Sequence, residues 1–334
     1  MTTTRARTSP RTADRPVEVR GLRKTYGKTT AVDDVSFTVE PGEIVGILGP
    51  NGSGKTTTVE CLQGLRRPDQ GDVRVLGLDP RHQVATLRRR IGCQLQDAAL
   101  PDRLRVGEAV RLFASVGDRR PDIDALLREW GLREKRRAPF GSLSGGQRQR
   151  LFVALALVND PELVFLDEMT TGLDPTARRD AWRLVERVRD RGAAIVLVTH
   201  FMDEAERLCD RLVVLRDGAV VATGTPAELV HRHGGGLTAS FSSDLPLPVF
   251  AELPGVRDVR RHGTTVEVTG EPAVVLRIGH LLVPTGHVPA DLLVRQATLE
   301  DAYIRLVGDG TQDGTQDGAD PPTRGDEPGT AVAR

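Results

Sequence analysis

The sequence predicts an α/β fold built on a parallel sheet, with a helical insert and a small α+β unit after it. The first observation is a set of short, almost wholly apolar runs at Ile44–Leu48, 163–166 and Ala194–Val198, which have the length and composition of strands buried on both faces. The second is that the run at Ile44–Leu48 leads directly into a glycine-rich turn and a helical pattern over 56–64. This strand, loop and helix order is typical of phosphate-binding α/β units.

The segments around these strands complete the predicted architecture. Apolar residues within 17–22, and alternation of apolar and polar residues at 35–39, predict two half-buried strands before the first buried one. Helical spacing dominates residues 100–160 and predicts the insert. An amphipathic helix is predicted between the last two buried strands from the apolar positions Ala181, Leu184, Val185 and Val188.

The chain is expected to divide into four parts. Residues 16–235 form the main α/β domain, and residues 236–307, with alternating strands such as 264–268 and a final helix over 299–306, form an accessory or dimerisation domain. We expect a disordered arm at 1–15 and a disordered acidic tail at 308–334, because both segments lack apolar periodicity.

Composition narrows the class of protein. The 46 basic and 46 acidic residues balance, so the positive field typical of nucleic-acid-binding proteins is absent. The three cysteines, Cys61, Cys93 and Cys209, form no CxxC pair, which favours a reducing cytosol. No apolar run approaches the ~20 residues of a membrane helix. We therefore expect a cytosolic protein that reaches a membrane only through another chain.

The glycine-rich turn after the first buried strand has the Walker A pattern of a P-loop. Glycine amides can surround a β-phosphate, the following helix directs its positive end at the anion, the lysine reaches the β and γ oxygens, and the threonine hydroxyl binds Mg²⁺. A plain glycine-rich turn is the alternative, which the flanking strand and helix disfavour. The predicted phosphate-binding residues are Gly49, Pro50, Asn51, Gly52, Ser53, Gly54, Lys55, Thr56 and Thr57.

Three further motifs distinguish this chain from other classes of P-loop NTPase. The sequence LSGGQ opens a predicted helix with Ser144, Gly145, Gly146 and Gln147, which makes either a second anion site or a simple helix cap. The second buried strand ends in Asp167, a candidate Mg²⁺ ligand, and Glu168, a candidate base for the attacking water. A solvated strand end is the alternative for this acidic pair. His200 follows the third buried strand as a candidate γ-phosphate sensor.

This order of motifs resembles that of ATP-binding-cassette (ABC) ATPase domains, over about residues 17–230. The resemblance implies ATP and Mg²⁺ as ligands, Tyr26 as the aromatic that stacks on adenine, and Asp174 as part of the D-loop. It also implies that Gln96 is the Q-loop glutamine, a catalytic and Mg²⁺-binding residue, although Gln94 stands two residues before it. Met169 occupies the position where the family usually has proline, which concerns the local backbone and removes no chemical group.

The resemblance also implies partners. In ABC ATPases two domains meet head to tail, so that ATP on one Walker A is capped by the partner's signature, here Ser144 and Gly146. Since the chain carries one Walker A, the dimer needs two copies or a sister chain. An integral membrane permease would hold this dimer at the cytoplasmic face of the membrane as a peripheral subunit.

The segment TLEDAY at 298–303 refines the resemblance. A cassette followed by a short α+β unit with this segment is similar to ATPase subunits of ABC-2 type drug and antibiotic exporters, the daunorubicin-resistance-like group. Importer ATPases, and soluble ABC proteins such as cofactor-assembly ATPases, are the alternatives.

Overall fold

The structure, a computed structural model, describes residues 15–94, 99–117, 121–284 and 289–308. Its strands are β1 (Val17–Tyr26), β2 (Thr29–Val39), β3 (Ile44–Leu48), β4 (Gln70–Val75), β5 (Ile91–Gln94), β6 (Leu163–Asp167), β7 (Ala194–Val198), β8 (Arg211–Arg216), β9 (Ala219–Gly224), β10 (Leu237–Ser242), β11 (Val256–His262), β12 (Thr265–Gly270) and β13 (Leu293–Gln296). Its helices are α1 (Lys55–Leu62), α2 (Val84–Leu87), α3 (Val106–Ala114), α4 (Ile123–Glu129), α5 (Gly145–Leu157), α6 (Pro175–Asp190), α7 (Met202–Leu208), α8 (Pro226–His233), α9 (Leu247–Ala251), α10 (Val274–Leu282) and α11 (Leu299–Gly308). The predicted arm and tail lie largely outside the described residues.

A six-stranded sheet in the order β5-β6-β7-β3-β8-β9 forms the centre of the first domain. All neighbours are parallel except β8 and β9. Every residue of β3, β6 and β7 is buried, which confirms the three predicted buried strands. In the register, Val198 of β7 pairs with both Asp167 of β6 and Ile47 of β3, so these strands end together. The loops that follow them therefore meet at one edge of the sheet.

Successive side chains of the central strands enter different cores, as the period of two requires. Val45 and Ile47 pack into a core shared with a separate antiparallel sheet in the order β2-β1-β4. Ile44 and Leu48 pack into the main core, which lies beneath the helices of the other face. The helical insert contains α3 and α4 and leads into α5, as the sequence predicts. No helix within the described ranges has both the length and the apolar character needed to span a bilayer.

The C-terminal unit has a fold of its own. Elements β10, α9, β11, β12, α10 and β13 form a four-stranded antiparallel sheet in the order β11-β12-β10-β13. This is the βαββαβ topology of ferredoxin-like domains. The two helices cover one sheet face and enclose a small core in which the Phe241 and Phe250 rings meet edge to face at 5.3 Å.

The last helix, α11, returns to the first domain and does not join the core of the C-terminal unit. Leu299, 1% exposed, belongs to the core beneath the helices of the central sheet. Its backbone N–H donates to Glu206 Oε1 at 3.0 Å, and Arg216 Nη1 donates to the Leu306 carbonyl at 2.9 Å. The helix α11, which contains most of the TLEDAY segment, is thus attached to the first domain.

We expect Leu299→Ala to lower the free energy of unfolding by about 2–4 kcal/mol, because it leaves a cavity in the main core. Ile304→Ala, on the same helix at a side chain that is 55% exposed, should change it by no more than about 0.5 kcal/mol. Urea unfolding followed by circular dichroism measures both values. Equal effects of the two substitutions would contradict this role for α11.

Candidate nucleotide-binding site

The loop between β3 and α1 is closed tightly against neighbouring backbone. Gly54 has φ 94°, and a Cβ built on it would lie 2.3 Å from the Ala31 carbonyl oxygen. A Cβ on Gly49 would lie 2.3 Å from the Leu215 carbonyl oxygen. Glycine is therefore required at both positions for steric reasons, which explains the spacing of the Walker A pattern.

Lys55, the first residue of α1, folds back over this loop. Its Nζ donates to the carbonyl oxygens of Gly49 at 2.8 Å and Pro50 at 2.9 Å. Partial burial lowers the pKa of Lys55, and the nearby carboxylates of Glu168 and Asp167 oppose this shift. The ammonium therefore binds the loop and interacts electrostatically with the two acidic side chains.

A cleft of about 330 Å³ opens at this edge of the sheet. Tyr26, at the end of β1, is 41% exposed beside it, with Lys24 Nζ and Arg66 Cζ at 5.5 and 5.7 Å from the centre of its ring. Gly49, Pro50 and Ser53 lie in the loop, outside the lining of the cleft. Among the residues predicted for the site, those that line the cleft are Tyr26, Asn51, Gly52, Gly54, Lys55, Thr56, Thr57, Asp167 and Glu168.

A larger cavity, of about 480 Å³, lies at the opposite edge of the sheet, beside residues that precede β5, β6 and β7. Arg90 and Glu162 line it and pair with each other at 2.7 Å. Ligands of open α/β sheets bind at the carboxyl ends of the strands, where this cavity is not. The smaller cleft is therefore the candidate site.

The two carboxylates at the end of β6 have different surroundings. Asp167 is the last residue of the strand and only 7% exposed. Glu168 adopts a left-handed φ of 49°, which costs a non-glycine residue about 1–3 kcal/mol. Its backbone N–H donates to the Val198 carbonyl at 2.8 Å, which holds the turn against β7. Met169, at the position where proline was expected, is fully buried in the main core.

His200 meets Glu168 across the ends of β6 and β7. Its Nδ1 lies 3.3 Å from Glu168 Oε1, and the imidazole is 51% exposed. This contact becomes an ion pair when the imidazole is protonated. The structure thus brings Lys55, Asp167, Glu168 and His200 to one edge of the sheet from three separate parts of the chain.

The signature motif lies apart from this cleft. Ser144 caps α5: the Gln147 N–H donates to Ser144 Oγ at 3.4 Å, and the Ser144 N–H donates to Gln147 Oε1 at 3.1 Å. Ser144 and Gly145 are exposed, and within the described part of the chain none of residues 144–147 lines the cleft. The structure shows the helix cap that was the alternative for this motif, and the second anion site stays a prediction.

The predicted D-loop lies beside the signature. A Cβ on Gly146 would stand 3.3 Å from Leu173 Cδ2. Asp174 caps α6 by accepting from the N–H groups of Thr176 and Ala177, both at 2.9 Å, and these bonds lower the pKa of its carboxyl. The exposed Asp174 carboxylate and the exposed end of α5 thus form one surface.

Two residues that line the cleft could not be predicted from the sequence motifs. Ala31 and Val198 line the cleft, and Ala31 meets Gly54 through its backbone, so neither side chain gives a sequence signal. Gln96 lies outside the described residues. Gln94, the alternative glutamine, is 3% exposed at the end of β5.

Comparison with known proteins identifies this arrangement. A family model described as ABC transporter matches residues 32–171. The Nod factor export ATP-binding protein I of Ralstonia nicotianae is 38% identical over 303 residues, which cover 87% of this chain and 94% of the relative. The chain belongs to the ABC transporter ATP-binding proteins. As an ABC ATPase, it binds and hydrolyses ATP.

Solved structures of ABC ATPases are similar to this chain as well. An ATP-binding subunit of an ABC transporter superposes with a TM-score of 0.61 at 31% identity, over 65% of this chain and 93% of that one. A bacterial ABC transporter cassette with a dimeric structure has a TM-score of 0.57 at 28% identity, over 63% of this chain and 98% of that one. Both are similar to the nucleotide-binding domain described above.

Proposed function

We propose that this ABC ATPase powers an ABC-2 type exporter through a separate membrane permease. The contact between Glu168 and His200, beside the P-loop cleft, is the observation that carries its hydrolytic part. The export part is supported by the relatives, which are named for Nod factor export, and by the TLEDAY segment. A drug, an antibiotic or a lipid-like compound is the cargo class we propose.

Four side chains divide the work of hydrolysis. Lys55 binds the β- and γ-phosphate oxygens, and the amides of the glycine loop bind the β-phosphate. Glu168 orients the attacking water and accepts its proton. His200 contacts the γ-phosphate and holds Glu168 in place. Tyr26 provides an aromatic surface for the adenine ring.

The residues of the cleft fit Mg²⁺. The Thr56 side chain and the Asp167 carboxylate border the same cleft, and no cluster of three or more ionisable ligands occurs in the described ranges. This suits an ion that takes one or two protein oxygens and completes its shell with phosphate and water. When bound, Mg²⁺ would neutralise phosphate charge, held by Thr56 and Asp167, with Gln96 as a further ligand from outside the described residues.

ATP closes a head-to-tail dimer in this proposal. The exposed ends of α5 and α6, with Ser144 and Asp174, stand away from the cleft of their own subunit and are available to the partner's nucleotide. Loss of the γ-phosphate removes the group that joins the two subunits, and the dimer reopens.

The permease would dock on an apolar groove between the central sheet and the helical insert. This groove, of about 250 Å³, is lined by Leu65, Phe113 and Val116 among others, and by Ile91 of β5, the strand that precedes the Gln96 segment in the sequence. Leu65 is 46% exposed and Val116 55% exposed. Exposed apolar side chains on this domain suit docking of an apolar partner surface.

We expect Val116→Asp to prevent the ATPase subunit from attaching to membranes when it is co-expressed with its permease, because a charge in the groove opposes apolar docking. Sedimentation of the subunit with the membrane fraction measures this attachment. ATP hydrolysis by the isolated subunit should remain unchanged. Leu276→Asp, at a side chain 78% exposed on α10, is the matched control and should retain membrane attachment. Attachment of the Val116→Asp protein at the normal level would refute this docking surface, and a wild-type protein that does not attach to membranes containing its permease would favour a soluble ABC ATPase.

A further inference from the structure

Glu204 is a buried acidic residue that the proposed mechanism does not use. It is the third residue of α7 and is completely buried. Trp182 Nε1, from α6, donates to its Oε1 at 3.0 Å. Burying such a group is costly, so its retention at this place requires an explanation.

The other neighbours of this carboxyl belong to the catalytic strand ends. Thr170, 0% exposed, stands two residues after Glu168, and Thr199, 1% exposed, directly precedes His200. Burial raises the pKa of Glu204, and its interactions with Thr199, Trp182 and Thr170 partly offset this shift. The carboxyl is therefore hydrogen-bonded to α6 and interacts electrostatically with both segments that carry the proposed catalytic pair.

A second contact joins the same helix to His200. Arg178, on α6, places its guanidinium 4.1 Å from the centre of the Phe201 ring and donates to Asp203 Oδ2 at 3.3 Å. The Phe201 ring in turn lies 4.1 Å from the His200 ring. Because Asp174 caps α6, a shift of the D-loop would move both contacts.

We propose that Glu204 is a positioning residue for ATP hydrolysis: its buried carboxyl joins α6 to the ends of β6 and β7 and so maintains the 3.3 Å contact between Glu168 and His200. The inference rests on the proposed roles of these two residues. Glu204 is not among the residues that line the cleft, so it acts through its neighbours and does not touch the nucleotide. A purely structural polar residue at this place would affect stability but not the turnover of the folded protein.

Three variants test the proposal in the full-length protein, with kcat, the KM for ATP and the free energy of unfolding as readouts. Glu204→Leu should lower kcat about 10- to 100-fold with little change in KM, since misplaced catalytic groups slow the reaction and not ATP binding. Glu204→Gln, which keeps an acceptor and a donor, should restore most of kcat. Trp182→Phe, which removes the N–H donor, should lower kcat in the same direction.

Leu184→Ala is the control, because Leu184 lies on α6 and is 6% exposed in the main core. The Leu184→Ala variant should have a lower free energy of unfolding, and its folded fraction should have the wild-type kcat.

A wild-type kcat in Glu204→Leu, or a Glu204→Gln variant as impaired as Glu204→Leu, would overturn the proposal. If Glu204→Leu does not fold, Trp182→Phe decides by the same criterion. Glu168→Gln, measured in parallel, separates the two hypotheses: if it remains active the proposed hydrolytic function fails, and if it is inactive while Glu204→Leu is active only this inference fails.

Discussion

Glu168→Gln is expected to lower kcat for ATP by at least about 100-fold while ATP binding is retained, because an amide cannot accept the proton of the attacking water. Lys55, the glycine loop and the signature stay intact, so the ATP-bound dimer should still close and then persist. Steady-state hydrolysis and size-exclusion chromatography with ATP and Mg²⁺ measure the two effects.

Glu162→Gln is the matched control for this experiment. Glu162 immediately precedes β6, whereas Glu168 follows it, and it pairs with Arg90 at the opposite edge of the sheet. Its substitution should leave turnover unchanged. A Glu168→Gln protein that hydrolyses ATP at the normal rate, or that stays monomeric with ATP, would refute the role given to Glu168.

A mixture of Lys55→Ala and Ser144→Arg subunits, each inactive alone, is expected to recover up to about a quarter of the wild-type ATPase rate. Random pairing makes half of the dimers mixed, and each mixed dimer contains one intact composite site out of two. The physical basis is the separation of Ser144 from the cleft of its own subunit. Hydrolysis by the mixture, compared with each variant alone, measures the recovery.

Ser144→Arg also removes the cap of α5, which costs about 1 kcal/mol irrespective of the nucleotide. Thr225→Arg is a control for this loss, since Thr225 caps α8 with the same type of capping box. It should lose similar stability and keep its ATPase activity. If mixed dimers form but no activity returns, the shared site is wrong.

Local sequence patterns were sufficient for much of the fold and site. The strands β3, β6 and β7 were predicted because both of their faces are buried and their side chains are consequently apolar throughout. The helix α1 and its glycine loop were predicted because phosphate binding imposes residue types at fixed spacing. The helix α5 begins at Gly145, directly after its Ser144 cap.

Long-range arrangement was not contained in those patterns. The pairing of β1 with β4, in a sheet separate from the central one, joins segments that are far apart in the chain. The insertion of β7 between β6 and β3 likewise depends on how whole elements pack. The sequence predicted α11 only as an amphipathic helix. That Leu299 packs this helix into the main core could not be predicted from it.

The sequence by itself indicated the chemistry proposed for this protein, because Lys55, Asp167, Glu168 and His200 each occur in a motif whose residue types suit ATP hydrolysis. Only the tertiary structure decided how these groups meet. The 3.3 Å contact between Glu168 and His200 follows from the parallel register of β6 and β7, and register is set by packing between distant segments. The burial of Glu204 beneath both strand ends has the same origin, since α6 and α7 come together only in the folded chain.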